Sequence, residues 1–202
     1  MSLKLFIQEA VNDFRKTAAI VPSSRYLTRA MVKPLGLNRA DVVVELGVGT
    51  GAMTKEILRS LTPDSTLIGF EDNPVFFDYV AGHFSDPRMI IVNASAEKAP
   101  MILEQLGCSR VDAVISSLGL GYMTEKERHC ILEGIAGCLK EEGIFTHFQY
   151  FHGLQLKEGR LSRFRIGELF QRYFGSVHRN LVWRNIPPAY VYISNGSIKK
   201  FG

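Results

Sequence analysis

In the stretch VVVELGVGTG, residues 42–51, an apolar run meets one acid, Glu45, and then three glycines at alternating positions, Gly47, Gly49 and Gly51. Glycine where a strand turns into a helix lets the backbone turn tightly and lets a ligand come close to it. Two common phosphate loops fail the pattern. No Gly-Lys-Ser/Thr follows, as a Walker loop requires, and the third glycine comes one residue early for the dinucleotide fingerprint. Glu45 adds negative charge where a pyrophosphate would be repelled. A second acid, Glu71 in IGFEDN, follows Gly47 by 24 residues, near the offset of roughly 20 at which a carboxylate accepts both ribose hydroxyls. Together these residues describe a nucleoside ligand with a positive end.

S-adenosylmethionine, which carries an ammonium and a sulfonium, meets that description, with S-adenosylhomocysteine as the product. Asp72 lies beside the ribose acid, where capping the next helix is its other role. At the third strand's end the sequence reads Asn93-Ala94-Ser95-Ala96, so Ser95 either helps to hold adenine or caps a helix. Ser116, at the end of the fourth strand, completes the expected cofactor set. The three cysteines, Cys108, Cys130 and Cys138, show no metal-ligand spacing, and no metal is expected.

Strand-like runs at residues 42–45, 66–70, 89–92, 111–115 and 144–148 alternate with helical segments that start near Ala52, Pro74, Glu97 and Thr124. This rhythm predicts a Rossmann-like α/β fold with a mostly parallel sheet covered on both faces. A further helix is expected over residues 161–174. SVHRNLVWRNIPPAYVYIS then gives two strands around Pro-Pro with no helix between them, an antiparallel hairpin that would bring the sheet to seven strands. Residues 1–36 are expected to form a helical cap on 37–202, all one structural unit. Within the cap, SSRYLTRAMVKPLG reads as a short helix with a Ser N-cap and a Pro/Gly end.

Leu3, Phe6, Ile7, Ala10, Val11 and Phe14 form an amphipathic stripe that would lie either on the core or flat in a membrane interface. Residues 151–202 hold nine basic side chains against two acidic ones, whereas residues 1–150 hold 15 against 18. That basic end either faces an anionic surface or simply solubilises the protein. No apolar run reaches the roughly 20 residues of a spanning helix, and the N-terminus lacks a signal-peptide pattern. A cytoplasmic protein, peripheral at the inner membrane, is expected.

The stretches IVPSSRYLTRAM, VVVELGVGTGAMT, VDAVISSLGLGYM, HFQY and VWRNIPPAYVY, in that order along the chain, resemble the bacterial phospholipid N-methyltransferases that methylate phosphatidylethanolamine. The resemblance implies a class I methyltransferase whose acceptor is a headgroup amine and whose partners are the phospholipid and an anionic membrane. At the fifth strand's end, Tyr150 would steer the amine's proton and offer a ring face to the methylammonium, with Tyr26 as the second candidate. His147 and His152 would merely flank that strand. Ser23, Ser24 and Arg25, at a helix start, suit the lipid phosphate, as do Arg184 and Asn185 in WRNIPPA; Arg160, Arg163 and Arg165 are candidates for headgroup contact.

These enzymes look similar to the ribosomal RNA adenine dimethyltransferases, which makes RNA the rival acceptor. Adenine N6 methylases place an Asn-Leu-Pro-Tyr type motif after the fourth strand, to grip and stack a flipped base. Here SSLGLGYM puts Ser117, Gly119 and Leu120 at the Asn, Pro and aromatic positions. The helical RNA-binding domain of the dimethyltransferases also has no counterpart before Gly202. Nucleic acid therefore ranks behind lipid. Gly119 also departs from the Gly-Leu-Pro-Leu of the phospholipid enzymes. Two further rivals are a small-amine N-methyltransferase and a cofactor- or membrane-binding protein without turnover.

Overall fold

A computed structural model of the chain describes residues 23–150, 154–157, 160–163 and 165–196. The expected N-terminal helix and His152 lie outside them. Helix α1, Arg25–Val32, starts where the Ser24 hydroxyl accepts from the Leu27 N–H at 3.3 Å. It buries Leu27 and Met31, one turn apart, and gives way to a 3-10 turn through Pro34 that ends at Gly36 in the left-handed region.

Strands and helices then alternate: β1 Val42–Leu46, α2 Ala52–Ser60, β2 Thr66–Phe70, α3 Pro74–His83, β3 Met89–Val92, α4 Ala99–Gln105, β4 Val111–Ser116, α5 Glu125–Cys138 and β5 Leu139–Tyr150. Next come a small hairpin of β6 Leu154–Lys157 and β7 Arg160–Arg163, then helix α6 Ile166–Phe170. Strands β8 Ser176–Val182 and β9 Ala189–Asn195 close the chain's described part.

The main sheet has the order β3-β2-β1-β4-β5-β9-β8, with β1 to β5 parallel and the last two strands antiparallel. Its strands read as continuous apolar runs because both faces are covered. On β1, Val43 joins the layer formed with α1 and α2, and Val44 the layer formed with α4, α5 and α6. Leu67 and Ile68 divide the same way on β2. Asp112 ties three strand starts together by accepting from the Asp41 and Val42 N–H groups and from Lys140 Nζ.

One element differs from expectation. The helix expected over residues 161–174 is confined to Ile166–Phe170, because β7 takes residues 160–163 into a hairpin in which Leu161 lies opposite Leu156. Its apolar spacing was compatible with either period, and cross-strand pairing decided it. Arg160 and Arg163 consequently lie on a strand.

Candidate active site

The order of the parallel strands reverses between β1 and β4, which opens a crevice at their C-terminal ends. The glycine loop lies there. Gly47, Gly49 and Gly51 all have positive φ, at 76°, 57° and 77°, a region that other residues enter only with strain. A Cβ on Gly51 would also lie 2.4 Å from the Phe84 ring, whereas one on Gly49 would meet nothing within 4 Å. Gly51 is thus fixed by packing, and Gly49 faces open space.

Glu71, at the end of β2, is 6% exposed. Its Oε2 accepts from the Gly49 N–H at 2.7 Å and its Oε1 from the Asn73 N–H at 3.0 Å. Burial pushes its carboxyl above the ordinary value, against the two N–H donors. Asn93 steadies the same strand end, donating to the Glu71 carbonyl at 2.9 Å. The helix cap is Asn73, whose side chain accepts from the Val75 N–H, while Asp72 stays exposed beside the site.

Glu45 behaves differently from a fixed negative charge. It is fully buried on β1; Oε2 accepts from the Thr54 hydroxyl at 2.7 Å, and Oε1 has no partner among the described residues. Burial pushes its carboxyl up to about 8, with the Glu71 charge adding to the effect and the Thr54 hydrogen bond opposing it. Near neutral pH the ligand-free protein therefore holds this group mostly protonated. An orphaned oxygen beneath a glycine loop, next to a buried carboxylate, fits a ligand that brings a cation and a pair of hydroxyls.

The remaining predicted cofactor residues, Ser95 and Ser116, make hydrogen bonds within the fold. Ser95 is half-buried and its hydroxyl accepts from the Glu97 N–H at 3.4 Å, so it caps the turn before α4. Ser116 is 1% exposed; its hydroxyl accepts from the Leu118 N–H and lies 3.2 Å from His147 Nδ1. Through these contacts Ser116 supports the β4 loop. Burial drives His147 down to about 3, so it stays neutral among Phe145, Phe148 and Phe170, as expected of a flanking residue.

Tyr150 is half-buried at the end of β5, edge-on to Phe148. Burial and the neighbouring Tyr122 raise its phenol above the ordinary value. Tyr122 ends the turn after β4 and is not among the residues the sequence singles out. Tyr26 sits apart from this pair. Its oxygen accepts from Arg25 at 2.9 Å, and the guanidinium of Arg184 lies 5.2 Å from its ring centre. The Arg25 hydrogen bond and charge lower its pKa.

The predicted phosphate residues do come together. Asn185, 3% exposed, accepts from the Ser24 N–H at 3.2 Å and donates to the Pro187 carbonyl at 2.7 Å, latching the β8–β9 turn to the start of α1. Ser24 thus uses its N–H and one lone pair of its hydroxyl within the fold, which leaves its O–H beside Ser23, Arg25 and Arg184 as candidate donors for an anion. Arg165 is ion-paired with Glu168 on α6. No cluster of three or more His, Cys, Asp or Glu suited to a metal occurs among the described residues.

The fold, the glycine loop and the buried acid of β2 define a class I S-adenosylmethionine-dependent methyltransferase. Residues 43–143 match the Methyltransferase domain family, half of the chain, and the protein belongs to it. Over 198 residues it is 27% identical to an ornithine lipid N-methyltransferase of Singulisphaera acidiphila, covering 98% of this chain and 97% of that one. A shorter match, 33% over 89 residues, covers 44% of this chain and 28% of the ribosomal RNA small subunit methyltransferase H of Aromatoleum aromaticum. Among solved structures, the 1,6-didemethyltoxoflavin-N1-methyltransferase of Burkholderia thailandensis, with bound 1,6-didemethyltoxoflavin and S-adenosylhomocysteine, superposes with a TM-score of 0.62. It is 19% identical and covers 83% of this chain and 77% of that one, which shows the shared fold.

Proposed function

We propose that this methyltransferase acts on the headgroup amine of a membrane lipid, phosphatidylethanolamine and its partly methylated products, at the inner membrane surface. The observation that carries the reading is the acceptor side of the crevice. From Ser116 to Tyr122 it offers no carboxamide or carboxylate side chain to grip a base, and it presents aromatic rings at the ends of two paired strands, Tyr122 in the turn after β4 and Tyr150 at the end of β5. Ring faces of this kind attract an alkylammonium by about 0.5–2 kcal/mol. The nearly full-length likeness to a lipid N-methyltransferase supports the same acceptor class and makes the amine of an ornithine lipid the second reading.

When bound, the cofactor supplies an electrophilic methyl group. The chain's own work is to align the two reactants and exclude water. In this reading Glu71 holds the ribose and Glu45 the ammonium. The headgroup ammonium must shed a proton before it can react, and Tyr150, whose raised pKa keeps it a neutral phenol, takes that proton on its oxygen as its own O–H proton passes to solvent water, which leaves the phenol neutral. Arg25 and Arg184 are the donors for the lipid's phosphate or carboxylate.

Tyr150→Phe is expected to keep the ring face and lose the proton path, so kcat falls about tenfold with KM little changed; Tyr150→Ala loses about a further tenfold. Equal rates for wild type and Tyr150→Phe would remove the phenol from the reaction. The assignment itself is tested by transfer of labelled methyl to phosphatidylethanolamine, ornithine lipid, ribosomal RNA and small amines side by side. Label in a lipid identifies the acceptor; label in RNA or a small amine, or none in either lipid, sinks the reading.

A further inference from the structure

We propose that the groove between α1 and α2 and the β8–β9 turn form a single docking face for an anionic lipid bilayer. In this arrangement Trp183 and Ile186 enter the headgroup layer while Arg29, Lys55 and Arg59 pair with lipid phosphates. The groove encloses about 680 Å³, and four cations, Arg25, Arg29, Lys55 and Arg59, line it against a single acid, Glu56. Arg59 lies 3.7 Å from Glu56, a separation at which an exposed pair holds weakly. A concave surface with this charge excess favours an anion.

The apolar half of the face stands on separate observations. Among the described residues six large apolar side chains are exposed. Ile90, Met101 and Leu106 are scattered on β3 and around α4, but Tyr122, Trp183 and Ile186 lie at the end of the sheet where the crevice opens. Trp183 is 68% exposed and Ile186 84%, although they stand three residues apart in a turn that is otherwise well anchored. The Asn185 latch to Ser24 and the stacking of Arg184 on Tyr26 hold that turn against the wall of the basic groove. Apolar tips, a tryptophan among them, beside a patch of arginine and lysine suit the interfacial zone of a bilayer better than a fully aqueous partner.

The choice of a bilayer over other anions rests on the lipid-methylation reading, and it adds an orientation. A headgroup amine sits at the membrane surface, so an enzyme that methylates it there must turn its crevice mouth toward the bilayer. The β8–β9 turn borders that mouth: the loop with Trp183 and Ile186 follows β8 and precedes Ala189, which is paired with Tyr150.

The test uses the full chain with vesicles of equal parts phosphatidylglycerol and phosphatidylcholine. Trp183 is the only tryptophan in the chain, so its emission reports on this turn directly. A blue shift on adding vesicles is expected. The vesicle-bound fraction is expected to fall about tenfold or more in Trp183→Ala/Ile186→Ser and in Arg29→Glu/Lys55→Glu, with the basic contribution weakening as salt rises. Affinity for S-adenosylhomocysteine should remain that of wild type in both, which also verifies folding; Ile186→Ser alone serves if the double variant is unstable. An unshifted Trp183 emission, or partition retained by both double variants, overturns the proposal. So does RNA that binds the wild type more tightly than vesicles do and releases in Arg29→Glu/Lys55→Glu. The lipid reading fails by a different result, the absence of methyl transfer to lipid dispersed in detergent micelles, where no bilayer is needed.

Discussion

Glu71→Ala is expected to weaken cofactor affinity by at least about a hundredfold while the protein stays folded. Hydrogen bonds to a charged acceptor contribute about 1.5–3 kcal/mol each, and a ribose offers two hydroxyls to this carboxylate. The same side chain also organises the site, since its two oxygens accept from Gly49 on the glycine loop and Asn73 at the start of α3. Alanine removes both tethers at once. Glutamine does little better: its amide has one acceptor oxygen, so its NH2 must face one of two N–H donors. Thermal stability should change little, because burial already works against this carboxyl, as its raised pKa indicates. Titration calorimetry with S-adenosylhomocysteine decides the matter, and an affinity within a fewfold of wild type would end the ribose assignment.

That prediction was available from sequence because the cofactor motif carries its own geometry. Three glycines after an apolar run and an acid at the next strand's end are local signals, and strands β2 and β3 fall at the expected bounds, residues 66–70 and 89–92. Helix starts were also legible where a side chain makes the cap, as Ser24 does for α1 and Thr124, with Glu127, for α5. The acceptor side was less legible. Tyr122 and Tyr150 come to the same end of the sheet only through the pairing of β4 with β5, and Asn185 reaches Ser24 across 161 residues of sequence. Ser116 shows the same limit: its place at a strand end suggests a ligand contact, while its hydroxyl lies 3.2 Å from His147 of the neighbouring strand. The β6–β7 hairpin shows the limit of periodicity, where pairing at a distance overrode an acceptable helical spacing.

Charge state was the least visible property, and Glu45 is the case in which it matters most. In the folded protein its carboxyl is pushed up to about 8 by burial, from an ordinary value of 4.5. Between those two values the folded chain holds a proton that the unfolded chain has released, so stability falls as pH rises through the window, by at most about 1.4 kcal/mol per pH unit. Above the window both states are ionised and the penalty is complete. Glu45→Gln keeps the acceptor for Thr54 and never ionises. It is therefore expected to flatten the decline and to be the more stable protein near pH 8, with the slope that remains coming in part from Glu71, which burial also raises. Urea unfolding at about pH 6 and about pH 8 measures this; parallel pH profiles for the two proteins would refute it. The same residue gives cofactor binding a sign. An ammonium at the orphaned Oε1 favours the carboxylate, so binding releases a proton and tightens as pH rises toward 8. Calorimetry in buffers of different ionisation enthalpy should find that release in the wild type and a smaller one in Glu45→Gln, whose neutral amide also binds the cofactor more weakly. A variant that matches wild type in both would leave Glu45 as a buried structural acid with no part in holding the ligand.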